Sequence, residues 1–299
     1  MLRRAGLLSC LLAACTAARP VPTPERTIAG ATQVAFPSQD SDLTHQPPTT
    51  LTGWLFRPEG EGPFPALVAL HGCAGLYGKD RDFTPRHRDW AERLVGQGYV
   101  VLFPDSFGSR GLDEICSRKP QPVRPGYERT RDTYGALTYL QTLPFVRPEA
   151  IGLIGWSNGG MTVLSAVAAH THARPQALAH DFRVAVAFYP GCKPTLERDD
   201  WAPPVAPLHI LIGASDDWTP ASECVALAQR TPLDLVVYPD SFHDFDDPSM
   251  PVHQRHNVAS TASGLATIGS NPAARADALT RVTQIFKEAL RPSSTPPSP

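Results

Sequence analysis

Ser157 carries the strongest chemical signature in this chain, within the stretch Ile151 to Met161 that reads I-G-L-I-G-W-S-N-G-G-M. The G-x-S-x-G spacing of Gly155, Ser157 and Gly159 follows an apolar run, Ile151 to Ile154, that suits a buried parallel strand. A strand that reverses into a helix within so few residues forces the serine into strained backbone angles, and neighbours without a β-carbon let the backbones approach. Gly155, Gly159 and Gly160 meet that need, so Ser157 is the expected nucleophile. A serine hydroxyl is a poor nucleophile at neutral pH. It needs an imidazole to take its proton and a carboxylate to fix the tautomer of that imidazole. Both are expected after the serine, acid first, on turns at the ends of later strands. The segment L-I-G-A-S-D-D-W-T-P at 211 to 220 offers Asp216, which lies nearer the strand end, with Asp217 as its rival. Of ten histidines, His243 alone has the required order and address, just past the last strand in V-V-Y-P-D-S-F-H. His170, His172, His180 and His209 fall between the serine and the acid. The oxyanion of a tetrahedral intermediate needs backbone donors. The expected ones are the amide of Asn158, directly after the nucleophile, and that of Cys73 in the turn His71-Gly72-Cys73, where His71 reads as a structural residue bonding the turn.

These side chains need a sheet edge to stand on, and the chain supplies one. Thr32 to Phe36, Thr50 to Phe56, Pro65 to Leu70, Tyr99 to Phe103, Ile151 to Ile154, Val184 to Phe188, Leu208 to Ile212 and Leu233 to Tyr238 read as eight strands. Thr84-Pro85 is a cap and first turn, after which Trp90, Ala91, Leu94 and Val95 recur at helical spacing. A Gly- and Arg-rich loop runs from Asp105 to about Pro125 and precedes a helix carrying Tyr134, Leu137 and Leu140. Asn158 to His170 is an apolar, Ala-rich helix, and Asn271-Pro272 opens a last one to about Leu290 with Ala276, Leu279, Val282, Ile285 and Phe286 on one face. From the third strand onward helices alternate with apolar runs, which demands a mostly parallel sheet with both faces covered. One domain from 31 to 291 is expected, without an internal boundary.

The balance of 27 Lys and Arg against 29 Asp and Glu gives no reason to expect nucleic acid as a partner. Prolines are dense at the two ends (Pro20, Pro22 and Pro24, then Pro292, Pro296, Pro297 and Pro299), so that 16–30 reads as a flexible tether and 292–299 as a disordered tail. Arg3 and Arg4 followed by the apolar Gly6 to Ala14 form an export signal, too short to span a bilayer. Its end, Leu12-Ala13-Ala14-Cys15, resembles a bacterial lipobox, which implies lipidation of Cys15 after removal of the leader at 1–15; cleavage near Ala17 or Ala18 and a soluble periplasmic or secreted product is the alternative. The only membrane association expected is through that anchor. Four cysteines then remain. An even count in an oxidising compartment favours disulfides, and proximity at the strand ends pairs Cys73 with Cys116 and Cys192 with Cys224, against the alternative of free buried thiols. None of the spacings is C-x-x-C, so a four-cysteine metal site is not expected. His253 and His256, with Asp244, Asp246 and Asp247 nearby, are a weaker metal alternative in a loop expected to be solvated.

Five motifs in one order carry a family resemblance: H-G-C-A-G at 71 to 75, F-P-D-S-F-G at 103 to 108, G-W-S-N-G-G at 155 to 160, G-A-S-D-D-W-T-P at 213 to 220 and F-H-D-F at 242 to 245. The chain resembles the α/β-hydrolase superfamily and, within it, the dienelactone hydrolase-like branch. That resemblance implies an α/β-hydrolase fold, an eight-stranded sheet flanked by helices on both faces. It also implies cofactor-free hydrolysis of a small carboxylic ester or lactone through an acyl-enzyme, with Ser157, Asp216 and His243 in the three roles. Two departures stand out: dienelactone hydrolases proper use a cysteine where this chain has Ser157, and the branch is usually cytoplasmic. Only 16 residues, Gly191 to Ala206, separate the sixth and seventh strands where relatives insert a lid, so a cleft bordered by Tyr77, Trp156 and Trp218 is expected. The same machinery would serve a peptidase or amidase, and an inactive scaffold would serve a surface binding protein.

Overall fold

In a computed structural model describing residues 27–198 and 203–291, eight strands form one sheet in the order β1-β2-β4-β3-β5-β6-β7-β8. They are β1 (Ala31–Pro37), β2 (Thr50–Phe56), β3 (Phe64–Leu70), β4 (Val100–Asp105), β5 (Val146–Trp156), β6 (Ala185–Phe188), β7 (Leu208–Gly213) and β8 (Asp234–Tyr238). The β1–β2 and β2–β4 pairs are antiparallel and every later pair is parallel. The leader, Cys15 and the C-terminal tail lie outside the described residues.

The central strands explain the architecture. Leu67, Val68 and Ala69 of β3 are wholly buried although their side chains alternate between faces, so both faces must be covered. The helices are α1 (Ser41–Thr44), α2 (Pro85–Gly96), α3 (Thr130–Gln141), α4 (Asn158–Val167), α5 (Lys193–Leu196), α6 (Ala221–Arg230) and α7 (Pro272–Ala289). Of these, α2 packs on β4, α3 on β1, β3, β4 and β5, α4 on β3, β5 and β6, and α6 on β7 and β8. Caps set two of the starts. The Thr84 hydroxyl accepts from the His87 amide, and Asn271 Oδ1 accepts from the amides of Ala273 and Ala274 at 3.1 and 3.2 Å.

Several boundaries and faces differ from expectation. Helix α4 stops at Val167, three residues before His170. The buried stripe of α7 is Ala274, Ala278, Val282 and Phe286; Ala276 faces solvent because the sheet meets the helix one step round from the most apolar arc. A two-stranded hairpin, β9 (His253–His256) with β10 (Leu265–Ile268), follows the eighth strand. Its strands are half polar and too short for a periodicity signal, so they escape a reading of the sequence. Disulfides join Cys73 to Cys116 and Cys192 to Cys224.

Candidate active site

The parallel strands deliver the three expected catalytic side chains to one edge of the sheet. Ser157 follows β5, Asp216 follows β7 and His243 follows β8. Backbone hydrogen bonds step along that edge: Ser157 N to Phe188 O at 2.9 Å, Tyr189 N to Leu211 O at 2.7 Å, Ala214 N to Tyr238 O at 2.8 Å and Ser215 N to Ser241 O at 3.0 Å. Ser157 has φ 55° and ψ −115°, a conformation that costs a side-chain-bearing residue energy and that only a rigid surround maintains. The glycines around it supply the surround by close approach. A β-carbon on Gly159 would stand 2.1 Å from Leu70 O, and one on Gly155 would stand 2.5 Å from Gly159 O. Gly159→Ala is therefore expected to destabilise the fold by about 2–3 kcal/mol, the scale of overpacking in a rigid core. Urea denaturation checks this, and an unchanged midpoint would mean that β3 and α4 are free to separate.

The carboxylate and the imidazole meet. Asp216 Oδ2 lies 2.7 Å from His243 Nδ1, and both residues are buried. Asp216 is held by the amides of Trp218 and Thr219 at 2.9 and 2.8 Å and by the Thr219 hydroxyl at 3.0 Å. Asp217 points elsewhere, accepting from the amide and hydroxyl of Thr267 on β10 at 2.7 and 2.8 Å. The other ring nitrogen, His243 Nε2, is buried and has no hydrogen-bond partner. Burial alone would push the His243 ring down, but the Asp216 carboxylate, by charge and by hydrogen bond, holds it above the ordinary histidine value. The other buried histidines differ. Burial pulls His87 to about 3, and burial with the Arg129 charge lowers His71 far below its usual range, so both rings are neutral at neutral pH. His71 Nδ1 faces the Gly72 carbonyl at 2.8 Å, as a structural turn residue would.

A cavity of about 660 Å3 opens over Ser157. Cys73 and Asn158, whose amides are the expected oxyanion donors, line it beside the nucleophile. Asn158 is the first residue of α4, where the amide has no partner within the helix. The turn after β3 reaches the same point, since a β-carbon on Gly72 would stand 3.6 Å from Ser157 Cβ. Trp218 and Thr219 form the wall over the histidine: the Trp218 and His243 rings lie 4.7 Å apart. Tyr77 and Trp156, expected at the cleft, do not line it. Trp156 is fully buried with Nε1 donating to Asp246 Oδ2 at 2.9 Å, and the Tyr77 hydroxyl accepts from Trp54 Nε1 at 2.8 Å. The far wall is instead the tip of the β9–β10 hairpin, Ala259 to Ser263. The Ala259 amide donates to Cys116 O at 2.9 Å, and Trp218 Nε1 donates to Ser260 Oγ at 2.9 Å.

The acidic run after His243 is not solvated. Asp244, Asp246 and Asp247 are buried and each has defined partners. Asp244 pairs with Arg86 at the start of α2. Asp246 accepts from Trp90 Nε1 and Trp156 Nε1 at 2.8 and 2.9 Å and from the Tyr189 hydroxyl at 2.5 Å. Burial pushes the Asp246 carboxyl up, whereas Arg86 and His243 outweigh the burial of Asp244 and pull its carboxyl down. Asp247 accepts from the amides of Ser249 and Met250, both at 3.0 Å. These carboxylates pin the loop that bears His243, a role hinted at only by three aspartates amid aromatic residues. His253 and His256 lie on β9, and among the described residues no group of three or more His, Cys, Asp or Glu side chains has the arrangement of a metal site.

Known proteins place this geometry in context. A carboxymethylenebutenolidase homologue from Synechocystis sp. is 27% identical over 143 residues, which is 44% of this chain and 51% of that protein, so the chain spans about half the length of that curated relative. Among solved structures, Thermogutta terrifontis esterase 2 superposes with a TM-score of 0.58 at 16% identity over 91% of this chain and all of its own. A dienelactone hydrolase-like promiscuous phosphotriesterase from metagenomic libraries gives 0.57 at 17% over 88% and 100%. The acylaminoacyl peptidase of Pyrococcus horikoshii gives 0.55 at 18%, over 90% of this chain but 43% of its own. At these identities the structural likenesses speak to the fold, which is that of the α/β-hydrolases. Residues 51–290, which hold the site described above and all of the sheet beyond β1 but the first residue of β2, match the dienelactone hydrolase family, and the chain belongs to that family.

Proposed function

We propose that this protein is a serine esterase that hydrolyses small carboxylic esters or lactones, with Ser157 as nucleophile, His243 as general base and acid, and Asp216 as its orienting carboxylate. The observation that carries the reading is the imidazole itself. One nitrogen is committed to Asp216 while the other is buried, unpartnered and set behind the wall of the cavity that Ser157 lines. In the reaction, Ser157 Oγ bonds to the carbonyl carbon as its proton passes to His243 Nε2. The negative oxygen is held by the Cys73 and Asn158 amides. Collapse breaks the ester C–O bond, and the leaving oxygen takes the proton from His243. Water then attacks the acyl-enzyme, gives a proton to Nε2, and its collapse returns that proton to Ser157 as the acid departs. Asp216 stays ionised throughout and stabilises the imidazolium.

The proposal extends to compartment. The lipobox-like Leu12 to Cys15 and the two disulfides support export and anchoring through Cys15, with the catalytic domain on an oxidising side of the membrane. None of the described helices is long and apolar enough to cross a membrane.

A fluorophosphonate probe tests the nucleophile. The structure of Thermogutta esterase 2 is of that enzyme phosphoramylated by tabun, and a fluorophosphonate acts through the same phosphorus chemistry. Stoichiometric labelling of the native chain, mapped by peptide mass spectrometry to Ser157, is the expected result. Labelling elsewhere, or none under conditions in which the protein turns over an aryl ester, would remove Ser157 from the role.

A further inference from the structure

Arg129 is the last residue of a single π-helical turn, Pro125–Arg129, that leads into α3, and it is completely buried. Such turns cluster at functional sites because the extra residue aims a side chain inward. One guanidinium nitrogen donates to Asn158 Oδ1 at 2.5 Å and another donates to the His71 carbonyl at 2.8 Å, while Nε has no partner. The guanidinium also sits 5.2 Å from the Phe107 ring centroid, and Phe107 packs edge-on against His71 at 4.5 Å. The carboxylates of Asp132 and Asp105 act on it through charge. A buried cation is expensive, and its two good hydrogen bonds go to two particular places. Asn158 bears one expected oxyanion donor on its own backbone, and His71 lies two residues before the other, Cys73.

We propose that Arg129 is the positioning residue of the oxyanion hole. It ties the turn after β3 to the start of α4, holds the Cys73 and Asn158 amides at a constant separation, and adds a fixed positive charge to the field at the oxygen that becomes negative. This rests on the reading of Ser157 as nucleophile. A fixed dipole or charge of this kind acts where charge develops, so its loss weakens the transition state more than the bound ester. Burial pulls the guanidinium down to about 9, which leaves it protonated at neutral pH.

The test compares the full chain with Arg129→Met, which keeps bulk without charge, and Arg129→Lys, which keeps charge. Three quantities are measured: kcat and KM on an aryl ester, and Ki for an aryl boronic acid that forms a tetrahedral adduct on the serine. Arg129→Met is expected to lower kcat about 100-fold and to weaken the boronate in parallel, while KM stays within about threefold of the parent, and Arg129→Lys to recover about tenfold of the loss. A kcat within twofold of the parent, or a fall in kcat with an unchanged boronate Ki, would overturn the assignment, the latter because a purely structural residue would give it. If Arg129→Met does not fold, Asn158→Ala cuts the other end of the same clamp. It should then cost about tenfold in both kcat and boronate affinity, and no change in either would be fatal. Ser157→Ala run in parallel separates the two readings. Retained activity there sinks the nucleophile assignment and this inference with it, whereas an inactive Ser157→Ala beside Arg129 variants of normal activity sinks this inference alone.

Discussion

Ser157→Ala is expected to lower kcat/KM for a short-chain aryl ester by about 10⁴- to 10⁶-fold, leaving the residue of activity that binding and oxyanion donors provide without a nucleophile. The size of the effect follows from the geometry. His243 Nε2 is buried and unpartnered while Nδ1 is bonded to Asp216, and the strained backbone of Ser157 is maintained by glycines packed against β3 and β6. Folding should be unaffected, because the serine side chain contributes little to the packing while its backbone bonds to Phe188 O and Met161 N persist. The measurement is steady-state turnover of purified protein alongside a denaturation curve. Turnover within tenfold of the parent, with an unchanged curve, would require a different nucleophile.

The second large effect separates two adjacent acids. Asp216→Asn should cost about 10⁴-fold in kcat, because the amide favours the wrong tautomer of His243 and removes the charge that stabilises the imidazolium. Asp217→Asn should change kcat no more than about threefold, since that exposed side chain ties Thr267 on the hairpin and does not touch the histidine. A pH profile adds an independent readout. In the parent the base must be neutral, so kcat/KM rises as pH passes the folded-state value of His243, which lies above the ordinary histidine range. In Asp216→Asn the raising influence is gone and burial remains, so the acid limb should move to lower pH. The linkage to stability has the opposite sense to activity. A folded-state value raised above the unfolded one contributes stability that is fully present below the unfolded value and is lost as pH rises through the folded value. Equal losses in the two variants, or an acid limb that does not move in Asp216→Asn, would discard Asp216 as the partner of the base.

Much of this site was legible in one dimension because its determinants are local. The strain at Ser157 needs small neighbours at fixed offsets, and Gly155, Gly159 and Gly160 are visible as such. Buried parallel strands need unbroken apolar runs, which is why the eight strands could be read within a few residues. Helix starts at Thr84 and Asn271 declare themselves through side chains that bond their own backbone. The choice of Asp216 over Asp217 was weaker from sequence, resting on which stands nearer the strand end. The turn in space turns one carboxylate to His243 and the other to β10.

Sequence alone therefore determined the fold class, the elbow, and the placing of Ser157, Asp216 and His243 in that order after successive strands, since each depends on periodicity or on contacts within a few residues. Tertiary structure alone decided what surrounds them. Trp156 proved to be interior and Tyr77 half-buried with its hydroxyl bonded to Trp54, the acidic run after His243 proved to be buried because Arg86, Trp90, Trp156 and Tyr189 converge on it, and the hairpin tip became the far wall. Arg129 illustrates the limit most sharply. A lone arginine ahead of a helix reads as solvated, and only the meeting of β3, α4 and the π-helical turn, distant in sequence, gives it His71 and Asn158 as partners in place of water.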